Sequence, residues 1–328
     1  MFFAGFASSR AEELFFKKGD VIAIVGGEDM VALSEYGYLE LLLTRALPDF
    51  HLRFRNLAWE GDTVFEQRRD LNFPPWEEQL EKIGATVVLC QFGQMESLAG
   101  KEKLPEFIAA YEKLLERLGG GGKRRVVILS PTWFEVPADS SPIHGQAWHD
   151  PATIELWKGR RELWTDYTAK IQKLGPAPNI GIIDWTSDPS EDWWPYRWTL
   201  LEYSSREPLL TRDRVHLSDR GHGTAAGAIA RMLLKKPEVR FRPGADGRLH
   251  GADERLLALI IAKNRLWFDY WRVQNWAFLA GDRTNQPSSR DHLDPAKRWF
   301  PEERERFLPL IEAREKEIDA LAAKLAQP

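Results

Sequence analysis

Cysteine is almost missing from this chain of 328 residues. Its one copy, Cys90, excludes an internal disulfide and lies inside the apolar run ATVVLCQF, where a buried, unreactive thiol is expected. No apolar run reaches the roughly 20 residues that a membrane-spanning helix needs, so an integral membrane protein is not expected. Charge of one sign is not in excess either: 45 Lys and Arg against 49 Asp and Glu give a net charge of -4. That balance argues against a general binder of nucleic acid or of anionic membranes. HExxH, CxxC and EF-hand patterns are missing, and GGED at 26–29 lacks the Gly-Lys-Ser/Thr of a phosphate loop. No cofactor and no metal are therefore expected. The opening MFFAGFASS has neither the basic start nor the apolar length of a full secretory signal. Compartment stays open between cytoplasm and export with a trimmed signal.

What is present reads as α/β. Hydrophobic content of 43% with 29% charged residues is ordinary for a globular chain. The length exceeds that of one usual core and suggests a large domain with an appendage. Up to about residue 235, short β-rich runs alternate with amphipathic helical patterns, as in βα units around a parallel sheet. The expected strands are VIAIV (21–25), LRFRNLA (52–58), TVVLCQF (86–92), RVVILS (125–130) and IGIIDW, which starts at Ile180. The clearest helix is KLPEFIAAYEKLLERL, where Leu104, Phe107, Ile108, Tyr111, Leu114, Leu115 and Leu118 share one face and GGGG at 119–122 stops it. A second, IELWKGRRELWTDYTAKIQKL, places Ile154, Trp157, Trp164, Tyr167 and Ile171 near one side. Ser218 or Asp219 should cap a third, which carries DRGHGTAAGAIARMLLKK.

Three segments follow from composition: residues 1–17 as an N-terminal segment, 18–240 as the sheet-bearing domain, and 241–328 as a helical extension. In the last helix Phe307, Ile311, Ile318, Leu321 and Leu325 form a narrow apolar stripe. It should dock on the domain or on another subunit, which leaves a homo-oligomer open.

Ligands of such sheets bind beyond the carboxyl ends of the strands, so the chemistry is sought there. The strongest local signal is Asp213-Arg214-Val215-His216 running into a capped helix. An aspartate three residues before a histidine can bond the ring's Nδ1–H and leave Nε2 facing a pocket. A turn aspartate beside a surface histidine would give the same spacing.

Three further segments, taken in order with this one, resemble the blocks of the SGNH (GDSL-like) hydrolases. VIAIVGGED stands at the strand followed by Gly-Asp-Ser, and RNLAWEGDT at the strand entering an Asn-x-Gly-x-x-Gly-Asp-Thr turn. VVLCQFGQMES stands at the strand followed by Gly-x-Asn, and DRVHLSDRGHGTAA at the final Asp-x-x-His block. The resemblance covers about residues 18–235. It implies a flavodoxin-like three-layer α/β/α fold around a central parallel five-stranded sheet, and esterase, lipase or acyl-hydrolase activity. Residue by residue, the family's serine falls on Glu28, its oxyanion glycine on Ala58 and its oxyanion asparagine on Met95, while Asp213 and His216 are retained. A register slip by one would place Asp29 at the serine position. Ala58 keeps a backbone N–H that could serve as a donor, whereas Met95 offers none, a loss of about a hundred- to a thousand-fold in turnover.

A carboxylate at Glu28 would face His216 from the side opposite Asp213, and two anions flanking one imidazole favour the imidazolium. Three readings follow. In the first, the fold binds a carbohydrate or acyl-ester ligand without serine hydrolysis. In the second, Glu28 or Asp29 acts as nucleophile or base, with Glu96 as partner acid, unless Glu96 only bonds loop amides. In the third, Glu28, Asp29, Asp213 and His216 converge on a metal, which their spacing does not demand. Gly27, Gly61, Glu96, Trp185, Trp193 and Trp194 would form the pocket rim.

Trp185, Trp193, Trp194 and Trp198 could equally pack the appendage, and Trp267, Tyr270, Trp271, Arg272, Gln274, Asn275 and Trp276 could line the rim or fill an interdomain seam. His144 and His149 are taken as solvated loop residues, His222 as a capping or solvent-facing one, and Ser130 as a backbone-bonding strand end.

Overall fold

Parallel strands buried on both faces need near-continuous apolar residues, and the runs at 21–26, 87–90 and 126–129 supply them. A computed structural model describes residues 15–137, 150–174, 179–187, 210–244 and 247–327. Five strands, β1 (Val21–Gly26), β2 (Arg53–Asn56), β3 (Val87–Gln91), β4 (Arg125–Leu129) and β5 (Ile180–Ile183), form one sheet in the order β2-β1-β3-β4-β5. Every pairing is parallel. Register places Ile24 between Asn56 and Leu89, and Gly26 beside Gln91, so β1 ends within the carboxyl edge, flanked by β2 and β3.

The period of two splits each strand between two cores. Ile22, Ile24, Leu89, Val127 and Leu129 face one layer, made by α1 (Glu28–Tyr36), α2 (Tyr38–Ala46) and α7 (Asp219–Leu234). Ala23, Val25, Val88, Cys90, Val126 and Ile128 face the other. That second layer holds α3 (Trp76–Lys82), α5 (Leu104–Gly119) and α6 (Pro151–Ile171), with the short α4 (Gln94–Ser97) at the end of β3. The result is the three-layer α/β/α arrangement expected.

The helical extension is present as α8 (Gly251–Trp271), α9 (Trp276–Leu279), α10 (Trp299–Glu305) and α11 (Phe307–Ala326). Helix α8 packs against α1, α2 and β2, which covers the exposed edge of the sheet, and α11 packs on α8 and α2. The apolar stripe of α11 thus docks on its own chain, with Ile311 and Ile318 buried. Charge fixes the seam as well. Arg53 pairs with Asp319 at 2.7 Å and Arg55 with Glu315 at 2.6 Å, while the buried Lys263 ammonium lies 2.9 Å from Glu40.

Two local expectations change and one is decided. Strand β2 runs only to Asn56; beyond it Leu57 N and Trp59 N still donate to the Ile24 and Gly26 carbonyls of β1, at 2.7 and 3.0 Å, while the Ala58 N–H turns to the Asn56 side-chain oxygen at 2.8 Å. Helix α6 begins at Pro151, with Asp150 accepting from Thr153 N, and of its expected apolar face Trp157 is only partly buried. Ser218, not Asp219, caps α7 by accepting from Gly221 N at 3.2 Å. Among the described residues, no helix is long and apolar enough to cross a membrane.

Candidate functional site

The site begins where β1 runs out. Gly26 has φ +147, and a Cβ there would stand 2.6 Å from Met30 Cγ and 2.7 Å from the Gln91 carbonyl, so only glycine fits this turn. Gly27 takes the N-cap of α1, which makes Glu28 the first helical residue and Asp29 the second. Carboxylates in a first helical turn are stabilised by the unpaired amides and dipole of that end.

The second element is the loop before α7. An antiparallel bridge between Thr211 and Leu217 closes it, and Arg212 N donates to the His216 carbonyl at 2.9 Å. Inside the loop Asp213 Oδ1 accepts from the amides of Val215 and His216 at 3.0 and 2.8 Å, while its Oδ2 lies 2.7 Å from His216 Nδ1. One carboxylate therefore shapes the turn and orients the ring, which is why the spacing is three. Partial burial works to raise the Asp213 carboxyl, but these bonds hold it below the usual carboxylate range.

The loop is fastened on three sides. Glu135, buried after β4, accepts from Leu210 N and Thr211 N, at 3.2 and 2.9 Å, and from the Thr211 hydroxyl. Gln94 Nε2, after β3, donates to the Val215 carbonyl at 2.7 Å. Asp29 Oδ1, after β1, accepts from Leu217 N at 3.1 Å. Burial pushes the Asp29 carboxyl up, against the Thr132 hydroxyl and the Leu217 amide.

These contacts bring Glu28 and His216 face to face. Glu28 Oε2 stands 3.0 Å from His216 Nε2, so the atom within hydrogen-bond reach of that nitrogen is a carboxylate oxygen. Asp29 turns instead toward Leu217. Arg212 completes the group, pairing with Glu28 Oε1 and placing its Nε 3.7 Å from Asp213 Oδ2. Three side chains in a row, Glu28, His216 and Asp213, are thus joined by two hydrogen-bonding contacts and bracketed by one guanidinium. They remain open to solvent, at 39%, 26% and 45% side-chain exposure. No metal-holding group of three or more His, Cys, Asp or Glu occurs among the described residues.

The other residues singled out from sequence are placed as follows. The Ala58 N–H is spent on Asn56, so it is not free as a donor. Met95 is exposed at 53%. Glu96 does not face the site: it is buried and accepts from Val64 N and Gly93 N, at 2.9 and 2.8 Å. Gly61 sits in an exposed turn at φ +82, where only a residue without a Cβ is at ease. Trp185 belongs to the core rather than to a rim, 1% exposed with Nε1 donating to the Ser130 carbonyl at 2.6 Å. Ser130 is itself fully buried. Trp193, Trp194, Trp198, His144 and His149 lie outside the described residues.

His222 departs furthest from expectation. It neither caps nor meets solvent: its ring stacks on Tyr36 at 4.4 Å, and burial, with Arg212 nearby, pushes it down to about 3. Sequence reasoning passed over Arg212, Gln94 and Glu135. Arg212 and Gln94 adjoin motif residues and were open to notice. Glu135 follows β4 in a run, SPTWFEVP, that carries no motif.

No family model matches the chain, and no curated protein does. Among solved structures, it is similar to a gut microbial diltiazem-metabolizing enzyme, with 13% identity, 94% of this chain and 95% of that chain covered, and a TM-score of 0.55. A lipase/acylhydrolase from Enterococcus faecalis matches at 17% identity and a TM-score of 0.40, over 67% of this chain and 98% of that one. A GDSL-like lipase from Bacteroides thetaiotaomicron matches at 15% and 0.36, over 66% and 88%. Some of the structures found are described as SGNH hydrolases or GDSL-like lipases, the kind that the four sequence blocks resemble. At these identities the likeness is one of fold.

Proposed function

We propose that this chain is an SGNH-hydrolase-like protein without a serine nucleophile, which binds a small carbohydrate or acyl-ester ligand at the strand ends instead of hydrolysing it through an acyl-serine. The observation that carries this reading is the 3.0 Å approach of Glu28 Oε2 to His216 Nε2. Serine hydrolysis needs a hydroxyl there, whose proton the imidazole removes. A carboxylate has no such proton, and Glu28 is held by Arg212 on its other oxygen. The two oxyanion positions give the same impression: the Ala58 amide is occupied and Met95 has no donor. The fold neighbour described as metabolizing diltiazem handles a small organic molecule, which suits a small-molecule ligand.

A second reading keeps a hydrolase. Burial raises the Asp29 carboxyl, which would let it serve as an acid beside Glu28. Against it, Asp29 is engaged by the Leu217 amide.

The test is a panel of aryl esters and aryl glycosides on the wild type, Glu28→Ala, Glu28→Gln and the double variant Glu28→Ser/Met95→Asn. The first reading expects ester turnover only in the double variant, and glycan binding that quenches tryptophan fluorescence. Wild-type ester turnover that survives Glu28→Ala would overturn it. Aryl-glycoside turnover lost in Glu28→Gln would establish the second.

A further inference from the structure

A cavity of about 390 Å³, sharing no residue with the Glu28 cluster, lies between β2, α3 and the C-terminal helices. Its aromatic walls are Phe73, Trp267, Tyr270, Trp271 and Trp276. All three indole N–H groups are spent on the protein. Trp267 donates to the Asn56 carbonyl at 2.8 Å, Trp276 to the Leu71 carbonyl at 2.8 Å, and Trp271 to the Gln79 side chain. Trp267, Tyr270, Trp271 and Trp276 are only 3–5% exposed, so the small part of each ring that borders the cavity offers an occupant apolar contact but, for the indoles, no hydrogen bond.

The charged groups on the lining are Arg55, Lys82 and Arg304 against one carboxylate, Glu78. Arg55 is tied to Glu315 at 2.6 Å and contributes least. Arg304 lies 4.6 Å over the Tyr270 ring and donates from Nε to the Tyr270 carbonyl at 2.9 Å, which leaves the outer nitrogens of its fork for a ligand. Lys82 is 58% exposed, and its ion-pair partner Glu305 is a loose 3.9 Å away. An apolar slot ending in a guanidinium and an ammonium selects a flat apolar body with an anionic end. A guanidinium fork matches a carboxylate in two parallel hydrogen bonds. The volume is that of a small-ligand pocket.

We propose that this seam between the sheet domain and its helical extension is a binding site for a small aromatic carboxylate, with the ring between Trp267, Trp271 and Trp276 and the carboxylate on Arg304 and Lys82. The ligand joins the extension to the domain, since α3 supplies Lys82 and α10 supplies Arg304.

The experiment titrates the full chain with 2-naphthoate, its neutral analogue 2-naphthamide and the cationic 2-naphthylmethylammonium. It follows tryptophan fluorescence and the NMR shifts of the indole N–H groups. The expected result is saturable naphthoate binding about tenfold tighter than that of the amide, with no saturation by the cation and shifts at Trp267, Trp271 and Trp276. Arg304→Gln should weaken naphthoate severalfold and leave the amide unchanged. Because Arg304 also holds the Tyr270 carbonyl, Lys82→Gln on the exposed side chain repeats the comparison if the first variant does not fold. Glu28→Gln should leave all three titrations as they are, so the outcome is separate from that of the proposed function. Equal affinity for carboxylate and amide, indifference to both cation substitutions, absence of saturation, or shifts confined to other indoles would each overturn the proposal.

Discussion

Glu28 and His216, 188 residues apart in sequence, meet at 3.0 Å because β1 and the loop before α7 end at the same edge of the sheet. Both side chains keep contact with water, so their attraction is screened and adds little to stability. A double-mutant cycle with Glu28→Gln and His216→Gln should give a coupling energy of at most about 1 kcal/mol, falling as salt is raised. Urea unfolding at two ionic strengths measures it. A coupling of several kcal/mol would show that the pair is far better shielded than its exposure indicates.

Gly221 should be indispensable to the loop. A Cβ there would lie 1.9 Å from the Leu210 carbonyl, which accepts from Ser218 N at 2.9 Å. Gly221→Ala is expected to cost about 1–3 kcal/mol by overpacking and to displace the loop from Glu28. Loss of the His216 ring contacts in NMR, together with a lowered denaturation midpoint, is the signature to look for. An unchanged midpoint would count against this packing.

Stability should fall in mild acid through His222. Its value drops from 6.5 to about 3 on folding, so between these limits the unfolded chain binds a proton that the folded one refuses. The stability contributed by the neutral ring is complete above about 6.5 and is lost as pH falls toward 3. His222→Phe keeps the stacking partner of Tyr36 without the titration. Its stability relative to wild type should improve by roughly 3 kcal/mol between pH 7 and pH 4. Parallel acid curves for the two proteins would contradict this.

The Lys263 and Glu40 pair, 2.9 Å apart and buried, should behave as a unit. Glu40→Leu alone leaves an ammonium without its anion and should cost about 3–5 kcal/mol, whereas Glu40→Leu/Lys263→Met should cost distinctly less. Thermal unfolding of the three proteins decides it, and additive losses would argue that the charges do not depend on each other.

Much of this was legible in the chain itself. Alternating apolar strands and 3.6-period helices pointed to the parallel α/β sheet, and the motif blocks singled out Glu28, Asp213 and His216, which the fold brings into contact, because strand ends, caps and a D-x-x-H turn are local in sequence. The inert Cys90 was local too. It is fully buried beside Tyr111, and burial pushes its thiol up to about 12.

What sequence could not decide depends on which surfaces meet. Nothing local distinguishes a glutamate that caps loop amides, as Glu96 does, from one that faces a site, as Glu28 does. The same holds for a tryptophan at a strand end, and Trp185 is core because Ser130 and Trp133 close over it. Burial beneath Tyr36 and the helix layer, with Arg212 nearby, pushes the His222 ring toward its neutral form, and Arg212 reaches this site only because the loop folds back on α1. Sequence fixes which groups are available. Desolvation and the pairing of groups far apart in the chain, which set their chemistry, arise only when the sheet brings β1 and the loop before α7 together.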